Sequence, residues 1–493
     1  MKVLFTYPPI STDKGTPLLS QNRQFQYFNE PTYIYPVVPA YAATLLQKNS
    51  FEVLWKDCIA EKVKEKAFFD YINEEKPDVI VIETKTPVVK LHWKIIGEIK
   101  KRRPNCKVVL CGDHVTALPL ESMQNSQVDF VLTGGDYDFL LLSLCRVLKN
   151  MDPYSNLEPG IFYRNKNEIK NSGKFVLKHD LNELPFINRE LTRWKLYAYK
   201  NGNFKKTPGT YIMAGRDCWW GKCKFCSWPT LYPEFRTRSP ENVLDEIETL
   251  IRQYNLKEVM DDTGTFPVGG WLREFCLGMI ERGINRQISI DCNMRFGVLT
   301  PEDYVLMKKA GFRLVLFGLE SANQETLNRI DKNLKEEEIV KSCKMARSAG
   351  LYPHITIMFG YPWETYEQAS KTLELGRWLL KKGYAYTVQA TIVIPYPGSR
   401  LFDECKAKNE LRTLDWNDYD MKKAVMKTPF EDSKMAELVR GIYKVAYNPE
   451  FVFRRIVSIR DAGDVLYLLR GFKKVLGHIF DFSPRGGPAS GGK

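Results

Sequence analysis

The sequence predicts an α/β protein in which an open parallel sheet precedes a partial barrel of six strand–helix units. Three observations predict it. Short Val/Ile-rich runs alternate with helical patterns over residues 1–150, and the alternation resumes at residue 207. The runs lack polar alternation, as strands covered on both faces do. A chain of 493 residues is also long enough for two or three domains, each with its own core.

Five strands are expected in the first unit, residues 1–150, with right-handed helical crossovers between them. They are predicted at 2–7, 51–57, 78–84, 107–112 and 129–135. Ligands of open parallel sheets bind beyond the carboxyl ends of the strands. Those ends read Thr84-Lys85-Thr86, Gly112-Asp113-His114 and Thr133-Gly134-Gly135. Glycines there either permit a large flat ligand to approach the backbone or only form tight turns; the residues leave both open.

Residues 151–206 are turn-rich and are predicted to be a connector. The barrel unit is placed at 207–405, with strands at 209–215, 257–262, 287–293, 312–320, 354–360 and 386–394. Ser239-Pro240 and Thr300-Pro301 each put an N-cap residue before a proline, which predicts a helix start. Gly311 is typical of a helix end.

Residues suited to chemistry follow the predicted barrel strands. The first strand leads to Cys218, Cys223 and Cys226, the second to Asp261, Asp262 and Thr263, the third to Asn293 and Arg295, and the fourth ends at Glu320. In barrels of this kind the chemistry sits on the loops at the carboxyl ends of the strands. We therefore predict one functional rim.

Three cysteines within nine positions, "CWWGKCKFC", indicate a metal centre. Structural zinc needs four ligands, usually in two pairs, and the next candidates, Cys276 and His354, are far along the chain. A redox pair of Cys223 and Cys226 leaves Cys218 without a role. An iron–sulfur cubane with three cysteine ligands and one open iron uses all three.

These residues resemble the signature of the radical SAM superfamily, Cys-x3-Cys-x2-Cys, with a first gap one residue longer here. "MDDTGTF", "CNMRFGVL" and "VLFGLESANQETL" are similar to the family's segments at strands two to four. The resemblance implies a 4Fe-4S cluster on Cys218, Cys223 and Cys226. It also implies contacts to S-adenosylmethionine from Asp262, Thr263, Asn293, Arg295 and Glu320. On the residues alone, Arg295 and Glu320 equally suit a salt bridge at the rim.

The segments "VVLCGDHVTALPLESM" and "VDFVLTGGDYDFL" resemble the B12-binding domain of one large radical SAM subgroup. The resemblance implies that residues 1–150 form a Rossmann-like cobalamin domain, with contacts from Thr84, Thr86, Gly112, His114, Thr116, Gly134 and Gly135. The Asp-x-His-x-x-Gly motif that supplies a cobalt ligand in other B12 proteins is absent from the sequence. His114 is therefore expected to be a loop contact or a turn residue.

The resemblance implies a methyltransferase in which a 5′-deoxyadenosyl radical abstracts hydrogen from an unactivated carbon and methylcobalamin supplies the methyl group. A small-molecule, lipid or peptide substrate and an electron donor such as a flavodoxin or ferredoxin are expected. Cyclisation or rearrangement without methyl transfer is an alternative. An RNA-modifying methylthiotransferase is another, and it predicts a second cysteine trio, whereas Cys58, Cys106, Cys111 and Cys145 are dispersed. No acid–base residue is predicted.

The net charge of +13 fits either a solvated lysine surface or an acidic partner. Nucleic acid is not expected, because no long Lys/Arg block or known binding motif is present. No apolar run approaches the ~20 residues of a membrane span, and no signal peptide is recognised, so we expect a cytoplasmic enzyme. Residues 406–493 are predicted to be helical with a flexible tail, "SPRGGPASGGK". Their mixture of basic and apolar residues predicts either a barrel cap or a face on an anionic membrane.

Overall fold

The computed structural model describes residues 1–19, 26–29, 31–166, 168–199, 201–202, 204–459 and 462–481. Two parallel sheets organise the chain, one in each of the two predicted units. The predicted tail at 483–493 lies outside the described residues.

The first sheet has seven strands in the order β2-β1-β3-β4-β5-β6-β7, and the first five in that order are parallel. Their bounds are β1 Lys2–Tyr7, β2 Glu52–Asp57, β3 Val79–Glu83, β4 Lys107–Cys111, β5 Phe130–Leu132, β6 Ile161–Asn165 and β7 Glu168–Asn171. Every residue of β3 is buried, as its unbroken apolar run predicts. The order of the five parallel strands is that of a doubly wound sheet, with ligand sites expected where the order reverses.

Six helices cover the two faces of this sheet, and an apolar cluster lies on each face. They are α1 Val37–Lys48, α2 Glu65–Glu75, α3 Val89–Arg102, α4 Asp113–Ala117, α5 Pro119–Asn125 and α6 Tyr137–Asn150. The antiparallel strands β6 and β7 extend the sheet into the segment predicted to be only a connector. These two strands were not predicted because an antiparallel strand needs no crossover helix and follows its neighbour through a loop alone. The division into domains stays a prediction.

The second sheet has six parallel strands in chain order, as a partial barrel requires. They are β8 Gly209–Ile212, β9 Glu258–Asp261, β10 Ser289–Met294, β11 Phe312–Glu320, β12 Tyr352–Phe359 and β13 Thr387–Ile392. The helix α7 Lys195–Ala198 precedes β8, and α15 Arg400–Ala407 follows β13. The helices between the strands are α8 Trp228–Leu231, α9 Pro240–Tyr254, α10 Gly270–Glu281, α11 Pro301–Lys309, α12 Gln324–Arg329, α13 Glu336–Ser348 and α14 Tyr366–Lys381.

The local signals read from the sequence are confirmed in the barrel. The Ser239 side chain accepts a hydrogen bond from the Asn242 amide at the start of α9, and Thr300 forms a reciprocal capping box with Asp303. Gly311 has φ +95°, a backbone conformation that L side chains rarely adopt, after the end of α11.

The C-terminal region is helical, as predicted. It contains α16 Asp432–Gly441, α17 Pro449–Val457 and α18 Ala462–Asp481. No helix in the described ranges combines the length and the apolar character needed to cross a membrane.

A buried ion network joins the two units next to the end of β5. The Arg216 guanidinium donates to Asp136 at 2.7 Å and to Asp138, and all three side chains are buried. Arg236 donates to Asp136 at 2.6 Å from the edge of the same network. Since Asp136 and Asp138 belong to the first unit and both arginines to the second, the network fixes the carboxyl edge of the first sheet against the barrel.

His179 adds a titratable contact to this network. Its ring stacks on Phe139 with centroids 4.1 Å apart, its Nε2 lies 3.1 Å from Glu158, and its Nδ1 lies 3.9 Å from Asp136. Burial opposes the charged ring, but the two carboxylates outweigh it and raise the pKa of His179 from 6.5 to about 9.

Protonated His179 is expected to stabilise the folded protein. A pKa raised by folding gives stability that is complete below about pH 6.5 and is lost as the pH rises through about 9. We therefore expect the thermal midpoint of the wild type to exceed that of His179→Gln at pH 6, and the difference to vanish by ~pH 9.5. A difference that stays constant over this range would contradict the assignment.

Candidate functional site

The loop that carries the three cysteines is tied down at several points. Gly215 and Arg216 pair with Arg236 and Thr237 as a short antiparallel ladder. The Lys224 amide donates to the Ile330 carbonyl at 3.0 Å, and the Lys224 carbonyl accepts from the Leu401 amide at 2.9 Å. Loops from strands β8, β11 and β13 thus converge on one rim, as the sequence predicts.

The three loop cysteines differ from the other eight cysteines in exposure. Cys218, Cys223 and Cys226 are partly exposed, whereas the other eight are buried. Within the described residues, no three His, Cys, Asp or Glu side chains already converge as tightly as the ligands of one ion. The sulfur of Cys218 lies 2.9 Å from the Thr265 hydroxyl. The structure therefore brings the three thiols onto one exposed loop without packing them on a common point.

Two cationic groups, Lys332 and Arg295, lie near the thiol of Cys223. Burial raises the pKa of Cys223, and the nearby charges of Lys332 and Arg295 oppose the rise. Burial also raises the pKa of Cys226, and Asp217 and the thiols of Cys223 and Cys218 raise it further. The positive charges of Lys332 and Arg295 would stabilise a thiolate or an anionic cluster there. The donor set and its surroundings therefore fit an iron–sulfur cluster.

The residues predicted after β9 and β10 form a buried polar network. The carboxylate of Asp261 accepts from the amides of Ala214 at 2.6 Å and Thr263 at 3.0 Å, and burial raises its pKa to about 7. The Thr263 hydroxyl bonds to both backbone groups of Gly215. Asn293 donates to the carbonyls of Asp261 and Thr263. Thr263 and Asn293 thus hold the start of the cysteine loop, and Asp262 is buried beside them.

Arg295 and Glu320 do not pair with each other; both contact Lys332. The Lys332 ammonium lies 2.8 Å from the Glu320 carboxylate, and Arg295 donates to the Lys332 carbonyl. Glu320 has φ +63° at an irregularity in the register between β11 and β12. Since a non-glycine residue at positive φ is uncommon, the strained backbone holds this carboxylate at the rim. The guanidinium of Arg295 lies 4.6 Å from the ring centroid of Trp220.

The loops at the carboxyl edge of the first sheet are tightly packed. The Thr84 hydroxyl bonds to His92, and the Thr86 hydroxyl lies 3.1 Å from Nδ1 of His114. The other ring nitrogen of His114 lies 3.0 Å from the Glu121 carboxylate. Gly112 has φ +119°, and a Cβ there would lie 2.4 Å from the Thr84 carbonyl oxygen. His114 is therefore buried in the first turn of α4, and not in a loop as expected.

The second glycine loop touches the barrel. The Gly134 amide donates to the Thr116 hydroxyl at 3.1 Å, and the Gly135 amide donates to the Leu231 carbonyl at 2.9 Å. A Cβ at Gly135 would lie 1.8 Å from the ring of Tyr232, which is itself buried. A Cβ at Gly134 would likewise clash with the ring of Phe175. The polar, glycine-lined edge of the first sheet thus faces the barrel, and the rings of Tyr232 and Phe175 pack directly on its glycines.

Several contributors to the site were missed by sequence analysis. Lys332 holds Glu320, Arg216 and Asp136 join the units, and Tyr232 packs on Gly135. Apart from Asp136, which lies in the segment "VDFVLTGGDYDFL", none of them belongs to a motif in the sequence. Their roles arise from contacts between residues that are far apart in the chain, so no spacing pattern could have indicated them.

Family comparisons agree with this arrangement. Residues 31–139 match the B12 binding domain, and residues 212–376 match the radical SAM superfamily. The first match covers α1 and the strands β2 to β5, and the second runs from the last residue of β8 into α14. Both predicted units are thus found in the predicted order.

Related proteins match most of the chain. An uncharacterized methyltransferase from Pyrococcus horikoshii is 27% identical over 436 residues, covering 86% of this chain and 89% of that protein. The anaerobic magnesium-protoporphyrin IX monomethyl ester cyclase of Cereibacter sphaeroides is 23% identical over 399 residues, covering 80% of this chain and 63% of that protein.

A solved structure has the same fold. The radical S-adenosylmethionine methyltransferase TsrM from Kitasatospora setae, with cobalamin and a 4Fe-4S cluster bound, superposes with a TM-score of 0.69 at 14% identity. The alignment covers 90% of this chain and 88% of that one. The chain therefore combines a B12-binding domain with a radical SAM domain, and its cofactors are a 4Fe-4S cluster, S-adenosylmethionine and cobalamin.

Proposed function

We propose that the protein is a cobalamin-dependent methyltransferase that acts on an unactivated carbon of a small-molecule substrate. The observation that carries the proposal is the contact between the cysteine loop and the glycine loop of the B12-binding domain through α8. The names of the methyltransferases from Pyrococcus horikoshii and Kitasatospora setae support it. When bound, the cluster with S-adenosylmethionine supplies a 5′-deoxyadenosyl radical, and cobalamin carries the methyl group.

In this proposal Cys218, Cys223 and Cys226 hold the cluster. Their loop is fixed by backbone hydrogen bonds to Ile330 and Leu401 that need no cluster to form. The rings of Trp219 and Trp220 lie next to the cysteines in sequence and under the guanidinium of Arg295, at 5.6 and 4.6 Å. Such rings limit the access of water to a cluster.

The rim residues are proposed to orient S-adenosylmethionine. The forked guanidinium of Arg295 suits the methionine carboxylate, and the Glu320 carboxylate suits the ammonium or ribose groups. Lys332 is a positioning residue, since its ammonium bonds to Glu320 at 2.8 Å. Asp262, Thr263 and Asn293 complete the predicted set, with Thr263 and Asn293 fixing the backbone of the rim.

The cobalamin contacts are proposed on the loops after β3, β4 and β5. Thr84, Thr86 and Thr116 carry hydroxyl groups there, and His114 is held between Thr86 and Glu121. Gly112, Gly134 and Gly135 allow the backbone to be approached closely on this edge. A flavodoxin or ferredoxin is proposed as the electron donor. A cytoplasmic location is proposed because all eleven cysteines are free, as is usual in a reducing compartment.

Cyclisation or rearrangement without methyl transfer is the second candidate, because the Cereibacter sphaeroides relative is named a cyclase. Methyl transfer converts S-adenosylmethionine to S-adenosylhomocysteine, and cyclisation does not. The cysteines do not favour the methylthiotransferase alternative. It needs a second reactive cysteine trio, and Cys58, Cys106, Cys111 and Cys145 are all buried.

The proposal is tested by reconstituting the full chain anaerobically with iron, sulfide and cobalamin and adding S-adenosylmethionine and a reductant. We expect 5′-deoxyadenosine and S-adenosylhomocysteine together by mass spectrometry. 5′-Deoxyadenosine without S-adenosylhomocysteine would favour the cyclase alternative. Reconstituted protein that holds iron but forms neither product would contradict both.

A further inference from the structure

Exposed apolar side chains are concentrated in the C-terminal helices. Of the eighteen large apolar side chains that are exposed among the described residues, ten lie between residues 447 and 472. Isolated exposed apolar residues are normal on a protein surface, but a concentrated patch marks an interaction site. The patch therefore needs a partner.

The exposed residues of α17 follow the periodicity of one helix face. Phe453, Ile456 and Val457 are 65%, 59% and 65% exposed, and they are spaced three and four residues apart. No residue of α17 is buried, although five of its nine residues are Phe, Val or Ile. Packing in the folded chain therefore does not explain the composition of this helix.

The next helix, α18, has one attached face and one apolar exposed face. Asp464 pairs with Lys205, and Tyr467 stacks on Tyr386 with centroids 6.4 Å apart. Leu466, Leu469 and Phe472 are exposed by 58%, 60% and 59%. The helix is thus held to the barrel by its polar and aromatic side, and it presents leucine and phenylalanine outward.

Positive charge accompanies the apolar surface. Arg454 lies in α17 next to Phe453, and Lys473 follows Phe472 in α18. Of the acidic residues in these helices, Asp464 is buried against Lys205, and Glu450 is bonded to Arg454 at 3.2 Å and lies 3.7 Å from Lys381. Asp464 and Glu450 are thus already paired, and the chain as a whole has a net charge of +13.

We propose that α17 and α18 dock the enzyme onto an anionic lipid bilayer, lying in its surface. Interleaved apolar and basic residues on short helices are the pattern of interfacial helices, which insert their apolar side and attract anionic headgroups. A protein partner would more often present an apolar core with few charges.

The position of the surface sets the orientation of the docked enzyme. α18 contacts Lys205, just before β8, and Tyr386, just before β13. Arg455 stacks on the same Tyr386, with 3.8 Å to the ring centroid. These residues lie at the amino ends of barrel strands, whereas the cysteine loop follows the carboxyl end of β8. The docked enzyme therefore keeps its functional rim turned away from the lipid.

The proposal is tested by co-sedimentation of the reconstituted full chain with vesicles of phosphatidylglycerol and phosphatidylcholine, or of phosphatidylcholine alone. We expect binding to the anionic vesicles only, weakened by salt. Phe453→Gln/Val457→Gln/Phe472→Gln is expected to lower the partition coefficient about tenfold, and Arg454→Glu/Lys473→Glu to do the same. The control, Leu277→Gln/Val305→Gln, removes exposed apolar side chains from α10 and α11 and should bind as the wild type does.

Failure to bind anionic vesicles, or binding that the patch variants do not reduce, would overturn the proposal. A dimer that the patch variants dissociate, with no vesicle binding, would instead assign the surface to a second copy of the chain. Formation of 5′-deoxyadenosine should be unchanged in every variant. The docking result is thus independent of the proposed methyl transfer.

Discussion

Cys223→Ala is expected to reduce the iron and sulfide content of the anaerobically reconstituted protein to background and to abolish 5′-deoxyadenosine formation. A cubane held by three thiolates loses a third of its protein ligands, and no other described cysteine is exposed to replace it. Iron and sulfide analysis with Mössbauer spectroscopy measures the first effect, and mass spectrometry measures the second. Cys218→Ala and Cys226→Ala should behave alike.

The matched control is Cys276→Ala. Cys276 is buried on α10 and has no place on the rim, so its loss should leave the cluster content unchanged. If Cys223→Ala retained a full complement of iron, or if the wild type held tetrahedral zinc without iron, the assignment of the three cysteines would be wrong.

Arg216→Met is expected to lower the free energy of unfolding by about 3–5 kcal/mol. The substitution leaves the carboxylates of Asp136 and Asp138 buried, with exposures of 2% and 0%, and without their main counter-charge. Urea unfolding followed by circular dichroism measures the change. Because the network joins the two units, the B12-binding domain and the barrel should also separate into two transitions.

Two further variants test whether the buried charges cause this loss of stability. Arg282→Met removes a guanidinium that is 2.6 Å from Asp245 but partly exposed, and it should cost at most about 1 kcal/mol. The triple variant Asp136→Asn/Asp138→Asn/Arg216→Met leaves no buried charge in the trio and should recover much of the loss. Equal effects of Arg216→Met and Arg282→Met would contradict the role of the network.

Most of the fold could be predicted because its signals are local. The apolar runs of β3 and β11, at 79–82 and 314–317, and the caps at Ser239 and Thr300 depend only on neighbouring residues. The antiparallel strands β6 and β7 were not predicted. The sequence of β7, "EIKN", is short, has no buried residue and contains no apolar run.

The residues of the site could be predicted only in part, for the same reason. The cysteines and the residues after β9 and β10 follow strand ends and could be found from their position. The partner of Glu320 could not, because Lys332 lies in an ordinary polar stretch and approaches the carboxylate only through the turn that follows α12. Whether a polar residue faces a ligand or another side chain depends on such tertiary contacts.

The contact of Tyr232 with Gly135 constrains how the protein could have been assembled. Only six positions separate Cys226 from Tyr232, so the segment that leaves the cysteine loop is also the one that seats the first sheet. A fused chimera that exchanged the amino-terminal half alone would meet a foreign surface at this aromatic ring, with no space for even one added methyl group. The two halves can therefore be recombined only if residues 226–232 are transferred together with the first sheet, which they contact.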